Sequence, residues 1–131
     1  MIPKSADENK ALVRRFFDEV WNHGNLDAYD EMAPSLVVRG YKEWVRAQRA
    51  ALGNFRVTIL DLLGEGSQVA VHWRVTAVHQ GDYLGVVATT KPVTFQGISL
   101  LEIADGKIVD DLGYWNDLAV LKQLGATIGP S

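Results

Sequence analysis

Apolar residues recur with a helical period through the first part of the chain and with a period of two further on. Leu12, Phe16 and Val20 stand at i, i+4 and i+8, with Val13, Phe17 and Trp21 beside them. One broad apolar stripe of this kind predicts an amphipathic helix ending near His23-Gly24. Ser5-Ala-Asp-Glu8 in front of it is a capping box, in which the hydroxyl accepts from an orphan amide and the carboxylate reaches back. Asn25 caps a short second helix over Leu26 to Met32, stopped by Pro34. Tyr41, Trp44, Val45 and Leu52 mark a third amphipathic helix, closed by Gly53-Asn54.

Alternation then takes over. Phe55, Val57 and Ile59 alternate with Arg56 and Thr58, the pattern of a half-buried strand. Gly64-Glu-Gly-Ser67 turns the chain into a longer strand, Val69 to Val78. A Gly-rich connection from His79 to Pro92 precedes a third strand, Val93 to Ala104. Asp105-Gly106 suits a type I′ hairpin, returning Lys107 to Trp115 antiparallel, before a last helix over Asp117 to Leu124. Helices followed by a strand meander predict a single α+β domain over residues 1–131, its core about 8–125.

Composition narrows the classes. At 131 residues, 47% hydrophobic and 22% charged, the chain is neither disordered nor fibrous. A net charge of −3 without a basic cluster argues against nucleic acid as a partner. The absence of cysteine excludes disulfides, thiolate metal sites and a cysteine nucleophile. His23, His72 and His79 show no short metal-ligand spacing, so no metal is expected. The N-terminal residues lack the basic-then-apolar pattern of a signal peptide, and no apolar run approaches the ~20 residues that span a bilayer. A soluble, cytoplasmic protein without a membrane partner is the expectation.

The stretch Asn9-Lys-Ala-Leu-Val-Arg-Arg-Phe-Phe-Asp-Glu-Val-Trp-Asn22, followed by Gly24-Asn-Leu-Asp-Ala28, resembles the opening of SnoaL-like polyketide cyclases and the related ester cyclases. Asp105-Gly-Lys-Ile-Val109, Trp115-Asn-Asp-Leu118 and Leu121-Lys-Gln-Leu-Gly125 resemble their end, and Val93-Thr-Phe-Gln-Gly-Ile98 and the His79-to-Gly85 loop also match. The resemblance covers about residues 8–125. It implies the cone-shaped fold of nuclear transport factor 2, a curved antiparallel sheet wrapped around helices with a deep pocket at its open end. It also implies ring closure by intramolecular aldol condensation without metal or cofactor. The chain departs from the pattern at Arg39 and Leu112, where many relatives carry His, and at Ser99, where an acidic residue is common.

Against that family pattern, Asp111 is the leading candidate for chemistry. The family's acid–base carboxylate comes from the last strand, and alternation puts Val109, Asp111, Gly113 and Trp115 on one face of it. In an apolar cavity desolvation raises a carboxylate's pKa toward the range useful for proton transfer. The competing reading makes Asp110 and Asp111 a solvated pair on an edge strand. Arg39, closing the apolar run Ser35-Leu-Val-Val-Arg39, either faces the cavity and orients Asp111 or snorkels at a strand end. His79 is either a pocket base or a loop anchor.

The substrate side is carried by aromatics. Trp21, Tyr29, Trp44, Trp73, Tyr83, Phe95 and Trp115 are candidate walls, with Ser99 as a further substrate contact. His72 and Arg74 share a strand face with Thr76, opposite Trp73, and line either the pocket or a homodimer interface. Three functions remain open. One is a cyclase or isomerase acting on a small hydrophobic carbonyl compound. Another is epoxide hydrolysis or opening of the limonene epoxide hydrolase type, whose strand Asp is missing here between Val69 and Val78. The third is a ligand-binding domain without catalysis.

Overall fold

The computed structural model describes residues 5–36 and 40–126. Ser5 caps α1 (Ala6–Phe16), its hydroxyl accepting the Glu8 amide at 3.1 Å. Asp7 and Glu8 in the first turn and Arg14 and Arg15 in the last both suit the helix dipole. The helical path then widens into a π-helical segment, Phe17–Asn22, before Gly24 turns away with φ +67°. The sequence predicts one uninterrupted helix here. Through the wider turn the stripe stays inward, and Phe16, Phe17, Val20 and Trp21 are all buried.

Two side chains hold this segment in place. The Asn22 amide donates to the Val57 carbonyl at 3.0 Å and accepts from the Val57 N–H at 2.7 Å. The Arg49 guanidinium donates to the Trp21 and Asn22 carbonyls at 2.6 and 2.9 Å, satisfying groups a helix end leaves orphaned. Asn25 caps α2 (Leu26–Met32) through the Ala28 amide. α3 (Tyr41–Ala51) ends one residue earlier than its apolar pattern suggests. Leu52 is extended, fully buried and paired with His79, so strand pairing overrides the helical period there.

Four antiparallel strands follow in spatial order β1-β2-β3-β4: β1 Leu52–Glu65, β2 Gln68–His79, β3 Pro92–Ala104 and β4 Lys107–Trp115. Asn54 (φ +52°) lies within a register shift near the start of β1. A shift between β3 and β4 corrects the face assignment on β4. Glu102 pairs with Asp110 and Ile103 with Ile108, which leaves Val109 as the extra residue of a bulge. Ile108, not Val109, therefore shares the inner face with Asp111, and it is fully buried. Asp105 and Gly106, both with positive φ, make the tight turn between β3 and β4.

The inner face of the sheet packs against α1, the π-helical segment and α3, and this concavity holds the core. α4 (Asp117–Gln123) docks at the far end, where the Gln123 side chain bonds both the N–H and the carbonyl of Thr94. On the outer face, cross-strand pairing sets Ile98 beside Tyr114 and Leu100 beside Leu112, all four exposed. Among the described residues no helix is long and apolar enough to cross a membrane.

Candidate functional site

A cavity of about 180 Å³ opens between the helices and the inner face of the sheet. Phe17 and Trp21 reach it from the π-helical segment, Tyr41 and Trp44 from α3, and Phe55 and Val57 from β1. The sheet side contributes Trp73 and Val75 from β2, Ser99 from β3, and Asp111, Gly113 and Trp115 from β4. Trp115 is the hub of the aromatic wall, its ring 4.9 Å from Trp44, 5.1 Å from Trp73 and 5.3 Å from Trp21. Such a wall is rigid and apolar, and it admits few polar groups.

Asp111 is the titratable acid among the lining residues. Its Oδ2 accepts the Tyr41 hydroxyl at 3.0 Å, and the Trp21 indole N–H donates to that hydroxyl at 3.1 Å. The relay runs from Trp21 through Tyr41 to one carboxylate oxygen. The other, Oδ1, is buried without a partner among the described residues. Burial pushes the Asp111 carboxyl up to about 6; the Tyr41 hydrogen bond opposes the rise and nearby Asp110 adds to it. Tyr41, nearly fully buried and beside a carboxylate, is held well above its ordinary range and stays a phenol, a donor at neutral pH.

The candidates read from sequence separate cleanly by place. Asp111, Trp21, Trp44, Trp73, Ser99 and Trp115 come together around the cavity. Phe95 lies behind the wall, its ring tilted 39° to that of Trp115 with centroids 5.2 Å apart. Tyr83 is buried in the loop after β2 and donates to Asp117 at 2.5 Å, while its neighbour Leu84 lines a second pocket with Trp44 and Gln48. Arg39 lies outside the described residues.

For three candidates the structure chooses between the alternatives the sequence left open, and none of the three lines the cavity. His79 is fully buried at the end of β2, away from the cavity lining, and its Nδ1 accepts the Thr89 N–H at 3.1 Å. With Thr90 and Lys91 bonded to its main chain, it anchors the loop instead of serving as a pocket base. His72 and Arg74 lie on the outer face, because Trp73 and Val75 take the inner positions of β2. His72 there bridges Asp61 and Gln96, at 2.8 and 2.7 Å. Asp61 and Gln96 raise its pKa despite partial desolvation.

Tyr41 was visible in the sequence only as one residue of a helix stripe. Its place three residues before Trp44, on the same face of α3, is the signal that points inward. Gly113 gave no signal beyond its alternation with Asp111 and Trp115.

A family model, SnoaL-like polyketide cyclase, matches residues 11–124. The chain belongs to the SnoaL-like polyketide cyclase family. A SnoaL-like polyketide cyclase from Agrobacterium tumefaciens superposes with a TM-score of 0.77 at 14% identity, covering 89% of this chain and 98% of that one. AclR from Streptomyces galilaeus, described as a candidate hydroxylase, has a TM-score of 0.85 at 23% identity, over 97% and 91% of the two chains. A Catenulispora acidiphila protein with a ketosteroid isomerase-like fold, solved with trimethylamine, has a TM-score of 0.71 at 18% identity, over 90% and 97%. These likenesses establish the fold of this SnoaL-like chain, the ketosteroid isomerase and nuclear transport factor 2 type. The comparison with curated proteins finds no match.

A carboxyl group raised from 3.8 to about 6 on folding costs stability once it ionises. The folded state holds the extra proton, so the cost is absent below about pH 4, grows through the interval and is complete above about pH 6. Asp111→Asn keeps an acceptor for Tyr41 and removes the charge. It should be about 3 kcal/mol more stable than wild type at pH 7.5, with the gain vanishing near pH 4. Urea denaturation at both pH values checks this, and equal or lower stability at pH 7.5 contradicts it.

Proposed function

We propose that this SnoaL-like protein closes or isomerises a ring in a small hydrophobic, carbonyl-bearing metabolite, with Asp111 as general acid and base. One observation carries the reading: a buried carboxylate, one oxygen held by Tyr41 and the other unpartnered, faces an aromatic cavity. With its pKa raised to about 6, Asp111 is mostly ionised at neutral pH yet basic enough to take a proton from carbon between two carbonyls. The C–H electron pair passes into an enolate, whose carbon attacks a second carbonyl to form the ring bond. The resulting alkoxide recovers the proton from Asp111. Nothing leaves, so one group serves both steps.

The described lining holds a single carboxylate, which favours this chemistry over epoxide hydrolysis, where a base for water and a separate acid must face each other. An apolar cavity of about 150 Å³ accepts benzene. The space here, about 180 Å³, therefore suits a single ring.

The second part of the proposal is a homodimer through the outer sheet face. Along that face the exposed apolar pairs lie between a basic end at Arg74 and an acidic end at Glu102 and Asp110. A two-fold axis lying across the strands would bring each basic end over the acidic end of a second copy. Sedimentation should give a dimer for wild type and a monomer for Leu112→Glu, and a monomeric wild type removes this part.

Turnover is tested by mass spectrometry of wild type and Asp111→Asn incubated with single-ring-forming β-dicarbonyl esters and with epoxides. Wild type should yield an isomeric product, or one short of a water, from a carbonyl substrate, with at least a hundredfold loss in Asp111→Asn. Retained turnover in the variant rejects Asp111, and water added to an epoxide moves the chain to the hydrolase reading.

A further inference from the structure

Gly113 occupies a cavity-facing position of β4 between Asp111 and Trp115. It is not among the glycines with positive φ, so its backbone does not require glycine. What the missing side chain provides is space. A Cβ built there would lie 3.3 Å from Ser99 Oγ, 3.9 Å from Asp111 Oδ1 and 4.0 Å from Trp115 Nε1. Ser99 pairs with Gly113 across β3 and β4, which fixes its hydroxyl beside the gap.

The three polar atoms complement one another. Ser99 is nine-tenths buried and its Oγ accepts the Trp73 indole N–H at 3.0 Å, which leaves its own proton available to donate. Trp115 Nε1–H is a donor only and has no acceptor among the described residues. Asp111 Oδ1 is a buried acceptor without a partner among them. Two donors and one acceptor around a point match a carbonyl oxygen whose neighbouring carbon carries an acidic proton.

We propose that Gly113 is the floor of an oxygen-binding subsite, in which Ser99 Oγ–H and Trp115 Nε1–H hold the substrate's reacting carbonyl while Asp111 Oδ1 takes the proton from the adjacent carbon. This rests on the acid–base reading above and adds the groups that receive the charge. As the C–H bond breaks, its pair forms the enolate C=C and the carbonyl π pair moves onto oxygen. The two donors then face a developing oxyanion in an apolar site, where such hydrogen bonds strengthen most. Specificity follows: the substrate presents a planar carbonyl on a ring small enough to lie against Gly113.

Phenol is the probe, because a single ring with one enol-like hydroxyl accepts twice and donates once. Calorimetry at pH 7.5 should find phenol bound by wild type, and bound roughly tenfold more weakly by Ser99→Ala and by Trp115→Phe. Toluene, lacking the hydroxyl, should bind both variants within twofold of wild type. Gly113→Ala should weaken phenol at least as much by occupying the floor. Trp115→Phe keeps an aromatic ring in the wall while removing the indole N–H, so one folded variant remains even if Ser99→Ala fails to fold. Absence of phenol binding in wild type, or unchanged phenol affinity in both Ser99→Ala and Trp115→Phe, overturns the subsite. Loss of phenol binding in those variants with full turnover in Asp111→Asn keeps the oxygen subsite and rejects Asp111 as the base. Unchanged phenol affinity with turnover lost in Asp111→Asn does the reverse.

Discussion

The structure turns on a carboxylate kept out of water. Burying an ionised Asp111 among indole and phenyl rings is costly, and the fold offsets only part of that cost. The relay from Trp21 through Tyr41 satisfies one oxygen and leaves the other unpartnered. Full satisfaction would hold the carboxylate in a low, inert range. No satisfaction at all would leave it protonated at neutral pH. The half-satisfied state sits between these limits, near the pH at which proton transfer is efficient in both directions.

Much of the surrounding architecture keeps that arrangement in place. The π-helical segment turns Phe17 and Trp21 inward together, and Asn22 and Arg49 fasten it to β1 and α3. The bulge at Val109 resets β4, so that Ile108 fills the core while Asp111, Gly113 and Trp115 line the cavity. His79, buried and bonded to Thr89, ties down the loop that carries Leu84 beside Trp44 and Gln48. The Tyr41 hydroxyl holds one Asp111 oxygen at 3.0 Å, a fixed donor of the kind that preorganised electrostatic catalysis needs.

Where local pattern decided the outcome, the sequence was readable. Leu26 to Met32 and Lys107 to Trp115 were bounded by an Asn cap, a Pro stop and an Asp-Gly turn, and both elements stand at those bounds. Alternation on β2 put Trp73 opposite His72 and Arg74, as the structure does. Features that depend on a single inserted residue were not readable. The π-helical widening after Phe16 and the bulge at Val109 shift the period by one without changing composition. Tyr41 was missed as a site residue because its contact with Asp111 spans 70 positions and is made only by the tertiary fold. Gly113 was missed as a feature because a missing side chain is informative only once its neighbours are in place.

The chemistry rests on the protonation state of one carboxyl group, which can be observed directly. Carbon-detected magnetic resonance of the aspartate side-chain carboxyls, assigned with Asp111→Asn, follows that group through pH 3 to 9. A midpoint at about 6, moving to higher pH in Tyr41→Phe as the opposing hydrogen bond is lost, is the result the account requires. A midpoint at the ordinary 3.8 or below, unmoved by Tyr41→Phe, would make Asp111 a solvated or ion-paired carboxylate and contradict the account.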